Sequence, residues 1–236
     1  MNGYRVGLLL LSLLLLSGCA GKAHRESAVE GRSFRIQDLV KSDVDLVTEV
    51  QLRLVIASLK QLTDKLYRRN PRELLKGRGA TREAALGRIF AADGGNGFPE
   101  LDGKRAVESI RLAFDEDYSG DRVLALMVGL KSMVLRAYDG KQSFYLTDEL
   151  DPQKLYNVAR NIEIAVWMLS HNRDSRGELF IISNETNGEV DNLSYERLFG
   201  KLIALQDSSA LIIAESSNRQ IKTVIQTVAS MVFLPI

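Results

Sequence analysis

Apolar residues recur at steps of three and four along most of the chain beyond residue 42, which is the spacing of one face of an α-helix. The first such stretch extends from about Asp43 to Arg69, with Ser42 as a candidate N-cap. Its apolar stripe consists of Val47, Val50, Leu54, Val55, Leu59, Leu62 and Leu66. This period predicts an all-α fold, because a half-buried β-strand requires alternation of apolar and polar residues.

Proline and helix-capping residues divide the rest of the pattern into further helices. Asn70-Pro71 ends the first helix and predicts a short helix Pro71–Lys76, since Asn suits an N-cap and Pro the first helical position. Asp151-Pro152 predicts in the same way a helix that extends to about His171. The other expected helices are at about Thr81–Ala92, Gly103–Phe114, Asp121–Tyr138, Tyr195–Ser216 and Asn218–Phe233. We therefore expect a single globular bundle of about seven or eight helices.

The stretch from Asp121 to Tyr138 is apolar almost all round, which predicts a central helix surrounded by the others. Gly129 lies within it and costs about 1 kcal/mol relative to Ala. A neighbouring backbone that approaches closely would offset this cost. The run Leu179–Ile182 has the composition of a short strand, but a lone strand has no partner. The apolar segment Val232–Ile236 is expected to dock on the bundle.

The composition excludes several classes of site. With one Cys and two His in 236 residues, the chain forms neither an intramolecular disulfide nor a His/Cys-rich metal site. A formal charge of +1 provides no general attraction to nucleic acid, so no nucleic-acid partner is expected. Neither Gly-x-Ser-x-Gly nor His-Glu-x-x-His occurs, and the Gly-rich segments at 77–81 and 93–97 lack the context of a phosphate-binding loop. The sequence thus favours a non-enzymatic protein, with no catalytic residue and no cofactor.

The N-terminus has the three zones of a bacterial export signal. Arg5 precedes an apolar run from Val6 to Leu16, and the small residues Ser17 and Gly18 follow it. The run is shorter than the roughly 20 residues that span a bilayer. We therefore interpret it as a signal peptide that is removed from the mature protein.

The segment Leu16-Ser17-Gly18-Cys19 resembles the lipobox of bacterial lipoproteins, in which a small residue and Gly precede an invariant Cys. The resemblance implies cleavage between Gly18 and Cys19, and acyl chains on Cys19 that hold the protein on the membrane. The residue after Cys19 is Ala20, whereas lipoproteins that are retained in the inner membrane of two-membrane bacteria tend to have Asp at this position. In a cell with two membranes, Ala20 therefore implies that the protein is anchored in the outer membrane and faces the periplasm. The alternatives are an ordinary secretory signal with a chance Cys, and a stable transmembrane anchor.

These features divide the chain into three parts. Residues 1–18 are the signal peptide, residues 19–35 are the lipidated Cys and a flexible tether, and residues 36–236 are the helical domain. The tether assignment rests on small, polar residues of mixed charge, which cannot form a packed core. His24 lies in it and is interpreted as a solvated side chain.

Two adjacent blocks of opposite charge lie between residues 65 and 121. From Lys65 to Arg88, eight basic residues accompany two acidic ones, and from Asp93 to Asp121, eight acidic residues accompany three basic ones. Either the blocks pair within the fold, or the basic block binds an anionic envelope partner, such as lipid head groups or an acidic protein. The candidate patch consists of Lys65, Arg68, Arg69, Arg72, Lys76, Arg78 and Arg82.

The acidic block contains a partial EF-hand pattern. Its oxygen-bearing positions are Asp115, Asp117, Ser119 and Asp121. Gly120 stands at the sixth place, as in an EF-hand, but Leu126 replaces the bidentate Glu at the twelfth. This leaves a weak calcium candidate beside a second interpretation, in which the acids stabilise the positive end of the following helix.

His171 is the only His of the helical domain, and Asp174 follows close enough to orient its ring. A cationic side chain at a helix C-terminus is already explained by the helix dipole, so a catalytic role is not required. The sequence favours a membrane-anchored envelope lipoprotein whose helical domain binds another envelope component, and we expect this component to be a protein. The alternative is an enzyme that acts on peptidoglycan, or an accessory factor of one. A deep polar pocket with one buried carboxylate would favour the enzyme, and a shallow groove the binding protein.

Overall fold

The structure of the helical part comes from a computed structural model, which describes residues 41–77, 81–91, 98–184, 193–218, 220–221 and 231–236. These residues form seven α-helices and one 3-10 helix, and they contain no β-strand. The prediction of an all-α helical bundle is confirmed. The signal peptide, Cys19, the tether, Arg78 and the loop Asp93–Gly97 lie outside the described residues.

Most helix boundaries agree with the capping signals in the sequence. The helices are α1 Asp43–Arg69, α2 Pro71–Lys76, α3 Arg82–Ile89, α4 Ala106–Leu112, α5 Arg122–Ala137, α6 Pro152–His171 and α7 Ser194–Ser217, and the 3-10 helix is Pro99–Leu101. Helix α4 begins later than expected, because Asp102 and Gly103 have φ values of 51° and 71°, outside the right-handed helical region. Helix α3 also ends earlier than Ala92, at Ile89.

The first helix begins with a capping box. The Ser42 hydroxyl accepts the N–H of Asp45 at 3.1 Å, and the Asp45 carboxylate accepts the N–H of Ser42 at 2.7 Å. The helix ends at Arg69, since Pro71 starts α2 and has no N–H to extend the ladder. Pro71 therefore accounts for the sharp junction between α1 and α2, whereas the Asn70 side chain makes no capping hydrogen bond to α2.

Helix α5 is the centre of the bundle and contacts α1, α2, α3, α4 and α6. Leu130, midway along it, is fully buried. A Cβ added to Gly129 would lie 2.8 Å from the carbonyl oxygen of Ala106 and 2.6 Å from Cγ1 of Ile110. The predicted close approach of a neighbouring backbone at Gly129 is thus confirmed, and the neighbour is α4.

The predicted stripe of α1 is wrong in its first two turns. Val47 and Val50 are exposed, whereas the buried face there includes Glu49 and Gln51. The Glu49 carboxylate accepts the N–H of Phe144 at 3.0 Å, and Ser209 of α7 donates to Gln51 Oε1 at 2.7 Å. Polar contacts with distant segments therefore outweigh the apolar pattern at this end of the helix.

The predicted helix Asn218–Phe233 is also wrong where the structure describes it. Asn218 has φ 53° and terminates α7 in the left-handed conformation, and residues 220–221 and 231–236 are not helical. The apolar C-terminal segment nevertheless docks as expected, since Phe233 and Ile236 pack against the core. The run Leu179–Ile182 forms no strand, and its only ladder contact is an isolated bridge between Arg173 and Leu179.

Candidate functional site

A concave surface lies where the junction of α1 and α2 meets the segments 116–122 and 173–182. It has a volume of about 1130 Å³, and we term it the basic groove because cationic side chains outnumber carboxylates along it. The cations are Arg69, Arg72, Lys76, Arg122, Arg173 and Arg176, and the carboxylates are Glu73, Glu116, Asp174 and Glu178. Residues far apart in sequence therefore contribute to one charged surface.

Asn70 positions two walls of the basic groove. Its Nδ2 donates to the carbonyl oxygen of Ile182 at 2.8 Å, and its Oδ1 accepts the N–H of Ile182 at the same distance. The same Nδ2 also donates to the carbonyl oxygen of Leu66, within α1. One buried amide thus ties the segment 173–182 to the junction of α1 and α2.

Arg122 is the most unusual cation of the groove, because it is only 9% exposed. Its Nη1 donates to the carbonyl oxygens of Ala113 and Asp115, at 3.0 and 2.6 Å, just beyond the C-terminus of α4. Its guanidinium also lies over the rings of Phe180 and Tyr118, at 4.7 and 5.8 Å. Among the described residues it has no carboxylate partner, so its full positive charge is retained beneath the groove.

Two further arginines of the groove are not neutralised by carboxylates of the described chain. Arg173 donates only to the carbonyl oxygen of Gly177, at 3.1 Å, and Arg72 has no ion pair in this part of the protein. By contrast, Lys76 pairs with Glu73 at 2.6 Å. The excess positive charge is therefore concentrated on Arg72, Arg122 and Arg173.

The structure disperses part of the patch predicted from sequence. Arg68 and Arg82 both pair with Asp64, at 2.6 and 3.1 Å, away from the groove. Lys65 lies beside Ser194, and its pKa is lowered by partial burial and by the charges of Arg197 and Arg68. Of the seven predicted residues, the groove includes three, namely Arg69, Arg72 and Lys76, whereas Arg78 lies outside the described residues.

Internal pairing of the two charge blocks is limited. Arg88 and Glu100 form a two-point ion pair that joins the blocks, at 2.5 and 2.7 Å. Arg68, Arg82 and Lys76 instead pair with Asp64 and Glu73, which lie outside the acidic block. Three described cations of the basic block are therefore paired with carboxylates outside the acidic block.

The EF-hand-like positions do not form a calcium site in the described structure. No group of three or more candidate ligands converges among the described residues. Asp115 accepts the N–H of Asp117 at 3.0 Å, and Asp121 is the N-cap of α5, accepting the N–H of Leu124 at 2.9 Å. The interpretation of the acids as stabilisers of the helix start is therefore the one that fits Asp121.

Four buried carboxylates occur among the described residues, and each accepts at least one backbone N–H. Asp45 bonds Ser42, Glu49 bonds Phe144, Glu73 bonds Arg122 at 2.7 Å, and Asp121 bonds Leu124. Such bonds hold the carboxylates in fixed orientations as caps and braces. Each of the four carboxylates is therefore already engaged in a structural hydrogen bond.

Asp121 also lines a smaller pocket of about 280 Å³, together with Tyr67 and Arg88. The Tyr67 hydroxyl donates to Asp121 Oδ2 at 2.8 Å. Burial raises the pKa of Asp121 to about 6, and burial together with the Asp121 charge raises the pKa of Tyr67. Both Asp121 oxygens accept hydrogen bonds, so the carboxylate at this pocket is held in a fixed orientation.

The candidate catalytic pair of His171 and Asp174 is not formed. The His171 ring stacks on Trp167 at 4.5 Å between centroids, and its Nδ1 lies 2.9 Å from the Trp167 carbonyl oxygen. Asp174 instead pairs with Arg176 and accepts the N–H of Glu178. His171 is thus explained by its position at the end of α6.

The most buried cation of the groove was not predicted from the sequence. Arg122 is one of three cations in a mostly apolar helix, beside Lys131 and Arg136, so its type and position do not single it out, and Arg173 and Arg176 lie in a polar loop. No protein-family model, curated protein or solved structure matches this chain. In the described part of the chain, no helix is both long enough and apolar enough to cross a bilayer.

Proposed function

We propose that the protein is a lipid-anchored envelope lipoprotein whose helical domain binds an acidic segment of another envelope protein in the basic groove. The observation that carries this proposal is the buried Arg122 guanidinium, which has only carbonyl and aromatic partners among the described residues. The carbonyl oxygens satisfy its hydrogen bonds but leave its positive charge unneutralised, so Arg122 contributes to the attraction of the groove for an acidic partner. Arg72 and Arg173 supply two further unneutralised positive charges along the same groove.

The location is supported by the sequence at the N-terminus. Acyl chains on Cys19 would hold the protein in the outer membrane, and the tether would let the helical domain reach partners in the periplasm. Each buried CH₂ contributes about 0.8 kcal/mol, so several chains give durable attachment. The anchor concentrates the domain near other envelope proteins, where an adaptor acts.

A protein partner fits the groove better than a bilayer surface does. The groove is concave, and carboxylates such as Glu116, Asp174 and Glu178 alternate with its cations. A flat anionic membrane would meet these acids with like-charge repulsion, whereas a peptide with a defined pattern of charges can avoid them. Mixed charge of this kind provides specificity for one partner.

A peptidoglycan-acting enzyme is the second candidate, and the buried Asp121 beside a pocket is the observation in its favour. The hydrogen bonds from Leu124 and Tyr67 to this carboxylate favour a structural role. Incubation of the purified protein with isolated peptidoglycan separates the two functions. If the wild-type protein releases soluble fragments and the Asp121→Asn variant does not, the enzymatic function is supported.

The adaptor function is tested by crosslinking in intact cells with mass-spectrometric identification of the partner. Arg72→Glu with Arg173→Glu should abolish capture of the partner that wild type captures, because both substitutions place negative charge in the groove. Wild-type binding to that partner should weaken as salt is raised. The matched control is Arg53→Glu with Lys201→Glu, which makes the same charge change at exposed positions outside the groove.

A melting curve for each variant accompanies the crosslinking. The groove variant should melt close to wild type, since solvated charges contribute only about 0–1 kcal/mol each. Retention of the partner by the groove variant, or equal loss in the control variant, would contradict the assignment of the groove.

A further inference from the structure

The C-terminal segment is fixed to the bundle by two buried asparagines of α6. The Oδ1 of Asn161 accepts the N–H of Leu234 at 2.7 Å, and its Nδ2 donates to the Leu234 carbonyl oxygen at 2.9 Å. Asn157 Nδ2 donates to the carbonyl oxygen of Pro235 at 2.8 Å. The segment 231–236 is therefore held by its main chain, and its side chains are left to shape the neighbouring surface.

These side chains line a groove of about 1000 Å³ against α4, α5 and the turn that follows α5. We term it the C-terminal groove, and it shares no lining residue with the basic groove. Its apolar lining includes Val107, Leu135, Phe233, Leu234 and Ile236. The volume is at the upper end of the range typical of small-molecule sites, and the extended apolar lining suits a flexible hydrocarbon chain.

Three arginines also line this apolar surface. Arg105 and Arg136 are exposed, and their guanidinium groups make no hydrogen bond or ion pair within the described chain, whereas Arg111 lies over the Phe233 ring at 5.5 Å. Glu108 is the only carboxylate side chain among the lining residues. The groove thus combines an apolar wall with an excess of guanidinium groups, which bind carboxylates through paired N–H donors.

We propose that the C-terminal groove binds a long-chain carboxylate, with its hydrocarbon chain along the apolar wall and its carboxylate at Arg105 and Arg136. Apolar contact and charge pairing act on different ends of such a ligand, and neither a short anion nor a neutral chain satisfies both. This site is independent of the adaptor function and of the basic groove.

The test is a calorimetric titration of the full chain carrying Cys19→Ser, so that no acyl chain of its own competes. Palmitate, kept below its micellar concentration, should bind saturably with one site per chain. Hexadecanol and acetate should each bind at least tenfold more weakly, because one lacks the charge and the other lacks the chain. Arg105→Ala with Arg136→Ala should weaken palmitate binding by at least tenfold.

The control variant Arg72→Ala with Arg173→Ala removes two charges from the basic groove and should leave palmitate binding unchanged. Circular dichroism should show the same helical content in all variants, since the four arginines occupy the surface. The absence of saturable palmitate binding would overturn the proposal. Equal binding of palmitate by the Arg105/Arg136 variant, or equal affinity for hexadecanol, would overturn the role of the arginines.

Discussion

Two buried asparagines in this protein bind the main chain of distant segments in the way that a neighbouring strand does. Asn70 pairs with both the N–H and the carbonyl oxygen of Ile182, and Asn161 pairs with both groups of Leu234. These bonds explain how segments 173–182 and 231–236 stay ordered without a sheet or a helix. In the sequence, Asn161 looks like any polar position of a helix and Asn70 looks like an N-cap, so neither contact with a distant main chain can be predicted.

Asn161→Ala should destabilise the protein by about 1–3 kcal/mol, because it leaves the partly buried main-chain groups of Leu234 without these partners. Urea unfolding measures the change in free energy, and limited proteolysis should cut the C-terminal segment earlier than in wild type. The matched control is Asn172→Ala at the end of α6, whose side chain makes no hydrogen bond in the described structure. Equal stability of the two variants would contradict the anchoring role of Asn161.

Asp121 should make the stability of the protein depend on pH. Its pKa of about 6 in the folded protein lies above the value of about 3.9 of an unfolded chain, so the folded state holds the proton more tightly. The resulting stabilisation is complete below about pH 4 and is lost as the pH rises through 6. Its size is about 2–3 kcal/mol, at 1.4 kcal/mol per tenfold change in proton affinity.

Asp121→Asn should remove this contribution while keeping the N-cap, because the amide oxygen can still accept the N–H of Leu124. The free energy of unfolding of both proteins is measured in urea at pH 4 and at pH 7.5. Relative to wild type, the variant should be more stable at pH 7.5 than it is at pH 4. Asp117→Asn, at an exposed position, serves as the control. Parallel pH profiles for Asp121→Asn and wild type would contradict the prediction.

At the scale of the helices, boundaries set by local chemistry were predictable and faces set by tertiary contacts were not. Ser42, Pro71 and Asp151-Pro152 act within one turn of chain, and α1, α2 and α6 begin at the residues that these signals predict. The exposed Val47 and Val50 depend instead on what the rest of the fold places beside Glu49 and Gln51. No local pattern encodes those contacts.

Two helical glycines provide a matched pair that tests the packing of α5. Gly129→Ala should destabilise the protein, since the added Cβ would lie 2.8 Å from the carbonyl oxygen of Ala106. Gly200→Ala, in α7, should stabilise it by about 0.5–1 kcal/mol, because nothing lies within 4 Å of the new Cβ and Ala favours the helix. Thermal melts of both variants measure the effect, and a stabilising Gly129→Ala would show that α4 and α5 are not packed this closely.

At the scale of the whole molecule, the sequence indicated a basic patch but not the groove that forms. The predicted patch was contiguous in sequence, and the fold turns Arg68 and Arg82 towards Asp64 instead. The groove is completed by Arg122 and Arg173, which lie about 50 and 100 residues beyond Arg72 along the chain. Only the helix packing and the Asn70 contacts bring these charges together.

Attachment of the molecule to the membrane should depend on one sulfur atom. Cys19→Ser should release the protein into the soluble fraction or leave the signal peptide uncleaved, because the acyl chains are the proposed attachment. Cell fractionation with intact-mass measurement distinguishes these results from wild type. A variant that is processed and still sediments with membranes as wild type does would contradict lipidation at Cys19.

Glu73 couples the basic groove to the centre of the fold. One carboxylate oxygen accepts the N–H of Arg122 at the start of α5, and the other binds Lys76 on the groove. A partner held in the groove would therefore restrain the first turn of the central helix, and amide hydrogens there would exchange with solvent more slowly. By thermodynamic linkage, a partner present at 100 times its dissociation constant would add about 2.7 kcal/mol to the free energy of unfolding. The lifetime of the folded domain in the envelope would thus increase with the fraction of the protein that is bound to its partner.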